Sequence, residues 1–576
     1  MYRLANRRPV HRRRPAERRR PALAVLALAV IGTSSLSACS GTAPARPAHS
    51  GKASAADPAA RPDLRRFYGQ KLVWRPCGDQ DTVQCASLTV PRDYAHPGDG
   101  RTFVLPVARA ATALPAERKG SVVLNPGGPG EPGAQLVKDG VADTLGRGVR
   151  ERFDVVSFDP RGVGGSKPAL TCADPDDEGE ARASAEAALH PRTAADRAAV
   201  LADARATADA CRRASGPLLP HVGTVDAARD LDVLRAVLGD RKLTYVGWSY
   251  GTSLGTSYAE QFPGRVRAMV LDGAVDPSLD WRQRMLGQSA GFRDAVDAYA
   301  ESCADTIGES CPGGTPEEIR ALIDRLVERT RREPLPVDES DEGLDAAGVV
   351  GALSMAMYTP EAQWEGLSEA LRAADEGDGT KLAALGEEST EEDTEDTQDA
   401  QDTQDTQDTD DTDDTDDTDD TDDEAPAGSD APAVPAVPED NSEAALIAVN
   451  CLDVPHPRDP QAYWDALAPA EKAAGVYGTS SVASELVCED WPSGPERPHR
   501  VHAPGVPPVL VVGTAGDPAT PYAEAVGLAG QFPGGMLLSF EADGHTGYGR
   551  NACVDRKVEA YLTDLTPVAP GTTCEP

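Results

Sequence analysis

The sequence predicts an α/β fold: a mostly parallel sheet with helices on both faces, interrupted by an inserted helical cap. Three observations carry this reading. Short apolar runs recur at 121–124, 153–158, 243–246, 266–271, 508–512 and 536–540, each the length of a buried strand. Helical spacing and Gly/Pro-rich loops separate them. From 278 to about 500 that alternation stops and helical patterns dominate, as at 281–300 and 316–332. The core therefore divides into a first part, 63–277, and a C-terminal part, 501–576, around a cap at 278–500. Earlier short runs at 71–74, 86–91 and 103–108 predict strands ahead of the first helix, the antiparallel start of the sheet. An alanine-rich helical stretch at 182–215 falls within the first core part.

The whole chain has 576 residues and a formal net charge of −38. The excess is uneven. Residues 387–424 are dense in Asp and Glu and hold no Lys or Arg, so over half of the excess sits there. Asp-Asp-Thr repeats with a period of three, which suits neither helix nor strand. Such a segment cannot bury a core, and disorder is expected over 387–440. Nucleic acid is a poor partner for this chain, because phosphate binding needs a basic face.

The first 38 residues read as a processing signal. An Arg-rich stretch at 3–20 precedes an apolar stretch at 21–31, too short to span a bilayer. Leu36-Ser37-Ala38-Cys39 then resembles a bacterial lipobox. Export, lipidation of Cys39 and a membrane anchor on the extracellular face are expected, with 39–62 as a flexible Ala/Pro/Ser tether. Beyond Cys39 there are ten cysteines: Cys77, Cys85, Cys172, Cys211, Cys303, Cys311, Cys451, Cys488, Cys553 and Cys574. An even number in an exported chain suggests disulfides. Spacing leaves connectivity open, and sequential pairing is the simplest arrangement. None forms C-x-x-C, and nothing in the chain calls for a metal or cofactor.

The chemistry centres on Gly247-Trp248-Ser249-Tyr250-Gly251, which follows a buried strand and fits the G-x-S-x-G nucleophile elbow of α/β-hydrolases. A serine on a sharp strand-to-helix turn needs nearly absent side chains two residues either side. Asn125-Pro126-Gly127-Gly128-Pro129-Gly130 follows an earlier strand, where an oxyanion loop belongs, and Asp159-Pro160-Arg161-Gly162 lies one α/β unit later. Asp517 follows the 508–513 strand, and His545 sits in a Gly-rich loop after the last predicted strand. The chain order Ser249, Asp517, His545 suits a nucleophile, an orienting acid and a general base. Asp272, at the end of an earlier strand, is the rival for the acid. The N–H groups of Tyr250 and of Gly127 or Gly128 are the expected oxyanion donors.

These motifs, with 68–77 (YGQKLVWRPC), 85–94 (CASLTVPRDY), 271–277 (LDGAVDP), 445–453 (ALIAVNCLD), 488–492 (CEDWP), 513–521 (GTAGDPATP) and 543–549 (DGHTGYG), together resemble the bacterial secreted tripeptidyl aminopeptidases. That family is related to the proline iminopeptidases. The resemblance spans roughly 65–565 apart from the acidic tract. It implies a serine exopeptidase that releases short peptides from free N-termini, with the cap closing over the amine end. Glu131-Pro132-Gly133 departs from the Gly-Ser-Gly common in the family after NPGGPG, which puts the shape of the oxyanion loop in question. An esterase or lipase would share every catalytic residue. A peptidase cap needs carboxylates for an α-ammonium, and Glu485, Glu489 and Asp490 are candidates. An inactive peptide-binding surface lipoprotein is disfavoured by the intact Ser, Asp and His.

Residues 388–430 hold no large apolar side chain to add to a core. Deleting 388–430 is expected to leave turnover and the melting temperature nearly unchanged. A large loss of either in the deletion variant would show that the tract packs on the domain.

Overall fold

The computed structural model describes residues 58–78, 82–172, 185–307, 310–338, 340–387 and 441–576. The expected signal peptide, the lipidation site at Cys39, most of the tether and nearly all of the acidic tract lie outside these residues. Asp57–Pro576 forms one compact unit.

Among the described residues, twelve strands occur in chain order: β1 Arg75–Pro76, β2 Val83–Pro91, β3 Thr102–Ala110, β4 Gly120–Asn125, β5 Phe153–Phe158, β6 Leu243–Trp248, β7 Val266–Asp272, β8 Leu335–Val337, β9 Ser340–Leu344, β10 Leu510–Gly516, β11 Met536–Asp543 and β12 Thr572–Cys574. Ten of them form one sheet in the order β1-β2-β3-β5-β4-β6-β7-β10-β11-β12. The β1–β2, β2–β3 and β3–β5 pairs are antiparallel and the remaining pairs are parallel. This is the α/β-hydrolase fold that the sequence predicts. Every residue of β4 and β5 is buried, as strands covered by helices on both faces must be. The expected strand at 71–74 does not form. Val73 is 68% exposed there, and the pairing begins at Arg75 instead.

Register decides where the loops emerge. Asn125 pairs with Gly247, Trp248 with Asp272, and Asp272 with Val512. The C-terminal ends of β4, β6, β7 and β10 thus lie side by side, and the loops that leave them share one edge of the sheet. That edge is where open parallel sheets bind ligands.

The cap has cores of its own. Leu322, Ile323, Leu353, Leu367 and Leu371 form one buried cluster, to which the β8–β9 hairpin contributes Leu335 and Leu344. A second cluster joins Met285, Tyr463 and Ala466 to Ala187 and Val200. The predicted boundary is thereby modified. The helix Ala194–Ser215, assigned from sequence to the core, puts Val200 into the cap cluster, while its Ala208 and Cys211 pack in the main core. Disulfides pair the ten cysteines sequentially: Cys77–Cys85, Cys172–Cys211, Cys303–Cys311, Cys451–Cys488 and Cys553–Cys574.

The Asp159–Gly162 turn is a structural hub. Asp159 accepts from the Ala134 and Gly165 N–H groups at 2.8 and 3.0 Å, which fixes the helix that follows the oxyanion loop. Gly133, the position shared with the Gly-Ser-Gly pattern, has no room for a side chain: a Cβ there would lie 2.3 Å from Ser157 Oγ. Arg161 is fully buried and donates twice to Asp230, at 2.7 and 2.6 Å, and to the carbonyls of Arg92 and His221. Tyr94 Oη donates to the same carboxylate at 2.8 Å. Removing one partner of such a pair strands the other charge in the interior, at a cost of about 3–5 kcal/mol. Arg161→Met is therefore expected to lower the urea midpoint by that stability loss. An unchanged midpoint would show that Asp230 finds another partner.

Candidate active site

The elbow is assembled by steric exclusion. Ser249 adopts φ 53° and ψ −123° between β6 and the helix Tyr250–Gln261. Holding a non-glycine residue there costs about 1–3 kcal/mol. The neighbours leave no alternative at the flanking positions. A Cβ on Gly247 would lie 2.3 Å from the Gly251 carbonyl oxygen, and one on Gly251 would lie 2.7 Å from the Asn125 carbonyl oxygen. The Ser249 N–H donates to the Asp272 carbonyl at 2.9 Å, tying the turn to the end of β7. Ser249 is thereby presented above the sheet edge, at the N-terminus of a helix whose dipole favours negative charge.

Gly127 closes against this turn. A Cβ there would lie 2.7 Å from the Trp248 carbonyl oxygen, 3.0 Å from Ser249 Cβ and 3.3 Å from the Tyr250 nitrogen. The expected oxyanion donors, Tyr250 and Gly127, are therefore neighbours beside the nucleophile. Gly128 lines the cavity with Ser249.

The acid and base also meet. His545 Nδ1 lies 2.9 and 3.0 Å from the two oxygens of Asp517. Asp517 is 3% exposed and accepts further from the N–H groups of Ala519, Thr520 and Thr546 and from Thr520 Oγ1. Thr520 Oγ1 also lies 3.4 Å from His545 Nδ1. The rival Asp272 has another task. Its carboxylate accepts from Gly547 N–H at 3.0 Å and Tyr548 N–H at 2.7 Å, so it holds the backbone of the histidine loop rather than the imidazole. Burial pushes its pKa up to about 6. The cap grips the same loop: His545 N–H donates to the Tyr358 carbonyl at 2.9 Å, and the two rings meet edge to face at 5.3 Å. Sequence reasoning missed Tyr358, which lies in the cap without any motif, and Thr520, whose place three residues after Asp517 was a usable signal.

The cavity above Ser249 has a volume of about 410 Å³. One face of the cap helix Trp281–Ser302 roofs it, through Trp281, Arg284, Met285, Gln288 and Phe292. Of the three carboxylates proposed from sequence for a substrate amine, only Glu485 lines this cavity. His456 Nε2 contacts its Oε2 at 2.5 Å. Glu489 is instead buried and accepts both bonds of a bidentate pair with Arg205, each at 3.0 Å. Asp490 pairs with Arg212 and Arg458 at 3.3 and 3.1 Å. Their charges hold the cap to the helix Ala194–Ser215, and the assignment of these two to substrate is corrected. Glu524 was missed from sequence, and it does line the cavity. Its pKa is pushed up to about 7 by burial, against the opposing hydrogen bond from Asp276 N–H. Within 4.8 Å of one another, His456, Glu485 and Cys488 are metal-ligating types, but the Cys488 sulfur is bonded to Cys451.

Gly223 is the N-cap of the helix Thr224–Val237 and offers it no side chain. Thr224 N–H and Oγ1 both donate to Asp453, at 2.9 and 2.5 Å, so a cap residue anchors that helix from across the fold.

Glu524 carries a pH signature. Its folded pKa lies above its unfolded value, so its contribution to stability is fully present below about pH 4.5 and is lost as pH rises through about 7. Glu524→Gln is expected to be more stable than wild type at pH 8, by about 1–3 kcal/mol, and equal to it near pH 4. Urea unfolding at the two pH values checks this. A gain of equal size at both would assign the effect to packing.

Comparison with known proteins agrees with this geometry. Residues 120–306 match the alpha/beta hydrolase fold family, and 474–574 match the family described as TAP-like protein. The serine protease Hip1 of Mycobacterium tuberculosis is 36% identical over 529 residues, covering 88% of this chain and 91% of that protein. The tripeptidyl aminopeptidase of Streptomyces lividans is 31% identical over 522 residues, covering 88% and 87%. Carboxylesterase B of M. tuberculosis is 33% identical over 513 residues, covering 86% and 87%. With the elbow serine, the Asp517–His545 pair and relatives aligned over nearly their full lengths, this chain is a serine hydrolase that belongs to the tripeptidyl aminopeptidase-like family of α/β-hydrolase peptidases.

Proposed function

We propose that the protein is an exported exopeptidase that releases short peptides, tripeptides foremost, from free N-termini. The observation that carries this is the roofed cavity that Ser249 and Glu485 both line. The roof helix acts as a ruler. Phe292 lies by Tyr358 and hence by His545, with ring centroids 5.8 Å apart, and Trp281 lies by His456, the partner of Glu485, at 6.0 Å. Those eleven residues of helix span about 16 Å. An extended chain covers about 3.4 Å per residue, so three residues and the reach of a carboxylate side chain fill that length. A folded protein cannot thread its middle under such a roof.

In this reading Ser249 attacks the scissile carbonyl, and His545 takes its proton and returns it to the leaving amine. Asp517 holds the imidazole tautomer and stabilises the imidazolium. The N–H groups of Tyr250 and of Gly127 or Gly128 receive the oxyanion, each such donor being worth about 3 kcal/mol of barrier. Glu485 draws the substrate ammonium, and Glu524 lines the same cavity. At an effective dielectric near 20, one contact pair is worth up to about 4 kcal/mol before desolvation. Five disulfides support an oxidising compartment, and lipidation at Cys39 would place the enzyme on the outer membrane face.

The carboxylesterase name among the relatives keeps an ester substrate as the second reading. Ser249→Ala is expected to abolish both amide hydrolysis and fluorophosphonate labelling without unfolding. For the wild type, kcat/KM on Ala-Pro-Ala-p-nitroanilide should exceed that on its N-acetylated form by about ten- to hundredfold. Equal values would remove the aminopeptidase reading and leave an endopeptidase or esterase.

A further inference from the structure

Arg284 stands out among the residues that line the cavity. Among the described residues its side chain makes no hydrogen bond or ion pair, and its Nε is buried without a partner. It lines both the catalytic cavity and a smaller one, of about 80 Å³, that continues beneath the nucleophile helix past Tyr250, Ser253 and Asp453. A guanidinium offers five N–H donors and stays charged in proteins. Leaving it unmatched in an enclosed site costs stability, which suits a group kept for a ligand.

The surroundings select the ligand's chemistry. Glu524, Asp453, Asp276 and Glu485 all act electrostatically on Arg284. Each already has its own donor: Asp276 N–H, Thr224, Ser278 and His456 respectively. A fifth carboxylate would be repelled by these four. A neutral acceptor would not, and an extended peptide offers one such carbonyl per residue. Arg284 is also placed at the right depth. It lies about one helical turn from Trp281 at the Glu485 end and about 12 Å of helix from Phe292 at the His545 end.

We propose that Arg284 is a specificity residue that donates to a substrate backbone carbonyl one or two residues before the acylated residue. This rests on the aminopeptidase reading and deepens it: Glu485 would read the amine, and Arg284 would read whether enough chain lies between amine and scissile bond. Such a contact rewards dipeptidyl or tripeptidyl substrates and is absent from a single aminoacyl group.

The test is a length series of Ala-, Ala-Ala- and Ala-Ala-Ala-p-nitroanilides on wild type, Arg284→Met and Arg284→Lys, with folding checked by thermal melting. A hydrogen bond to a charged donor predicts that Arg284→Met loses about ten- to hundredfold in kcat/KM on the substrate that carries the recognised carbonyl. The aminoacyl substrate should change by less than about threefold. Arg284→Lys should recover part of the loss. The length at which the loss appears identifies the carbonyl. Calorimetry of Ala-Ala-Ala and Ala-amide binding to Ser249→Ala, with and without Arg284→Met, gives the same comparison without turnover. An equal loss at every length would assign Arg284 to folding or to the general field, and no loss at any length would remove it from recognition; either result overturns the proposal. Repeating the series with N-acetylated substrates separates the two readings. Loss of amine dependence sinks the aminopeptidase assignment, while a length-dependent Arg284 effect would still register on the acetylated chains.

Discussion

The structure depends on one steric constraint, the crossing of main chains at the nucleophile turn. The end of β4, the turn between β6 and its helix, and the Gly127 loop approach so closely that no Cβ fits at 127, 247 or 251. That contact places the serine at the helix N-terminus and brings Gly127 beside the Tyr250 nitrogen in one step. The residues proposed as nucleophile and oxyanion donors are thus positioned by exclusion, without flexible side chains that would have to be ordered during reaction.

The surrounding polar groups hold this geometry by dividing their duties. Asp517 takes the imidazole. Asp272, in the next strand, takes the backbone of the histidine loop and, through its carbonyl, the serine N–H. Asp159 and Arg161 secure the oxyanion side, and Asp453 reaches from the cap to the helix Thr224–Val237. Asp517, Asp272 and Asp159 are buried, and each is satisfied by backbone N–H groups or a charged partner, as low-dielectric surroundings require. The cap is therefore more than a lid. Through Tyr358 it touches the histidine loop by a backbone hydrogen bond and an edge-to-face ring contact with His545.

Charge in the cap serves two ends. Glu489 and Asp490 are neutralised by arginines and fasten the cap to the helix Ala194–Ser215. Glu485 and Glu524 line the cavity instead, together with Arg284. Sequence composition alone cannot separate these roles, because all four are acidic residues in an acidic region.

The sequence by itself determined the strands of the parallel core, the elbow, the oxyanion loop and the order of serine, acid and base. These are local signals: buried strands need continuous apolar runs, and a strained turn at Ser249 admits only glycine two residues to either side. It also contained the even set of cysteines, though not their pairing. Tertiary structure decided which aspartate faces His545, because Asp272 and Asp517 both end core strands and only the packing of the 543–549 loop distinguishes them. It decided that the helix Ala194–Ser215 bridges core and cap, since an Ala-rich helix carries no label for its partner. It also decided which acidic residues face the cavity, and that Arg284 stands there unpaired. Those facts depend on contacts between segments up to a few hundred residues apart, such as Arg205 with Glu489, and no local pattern encodes them.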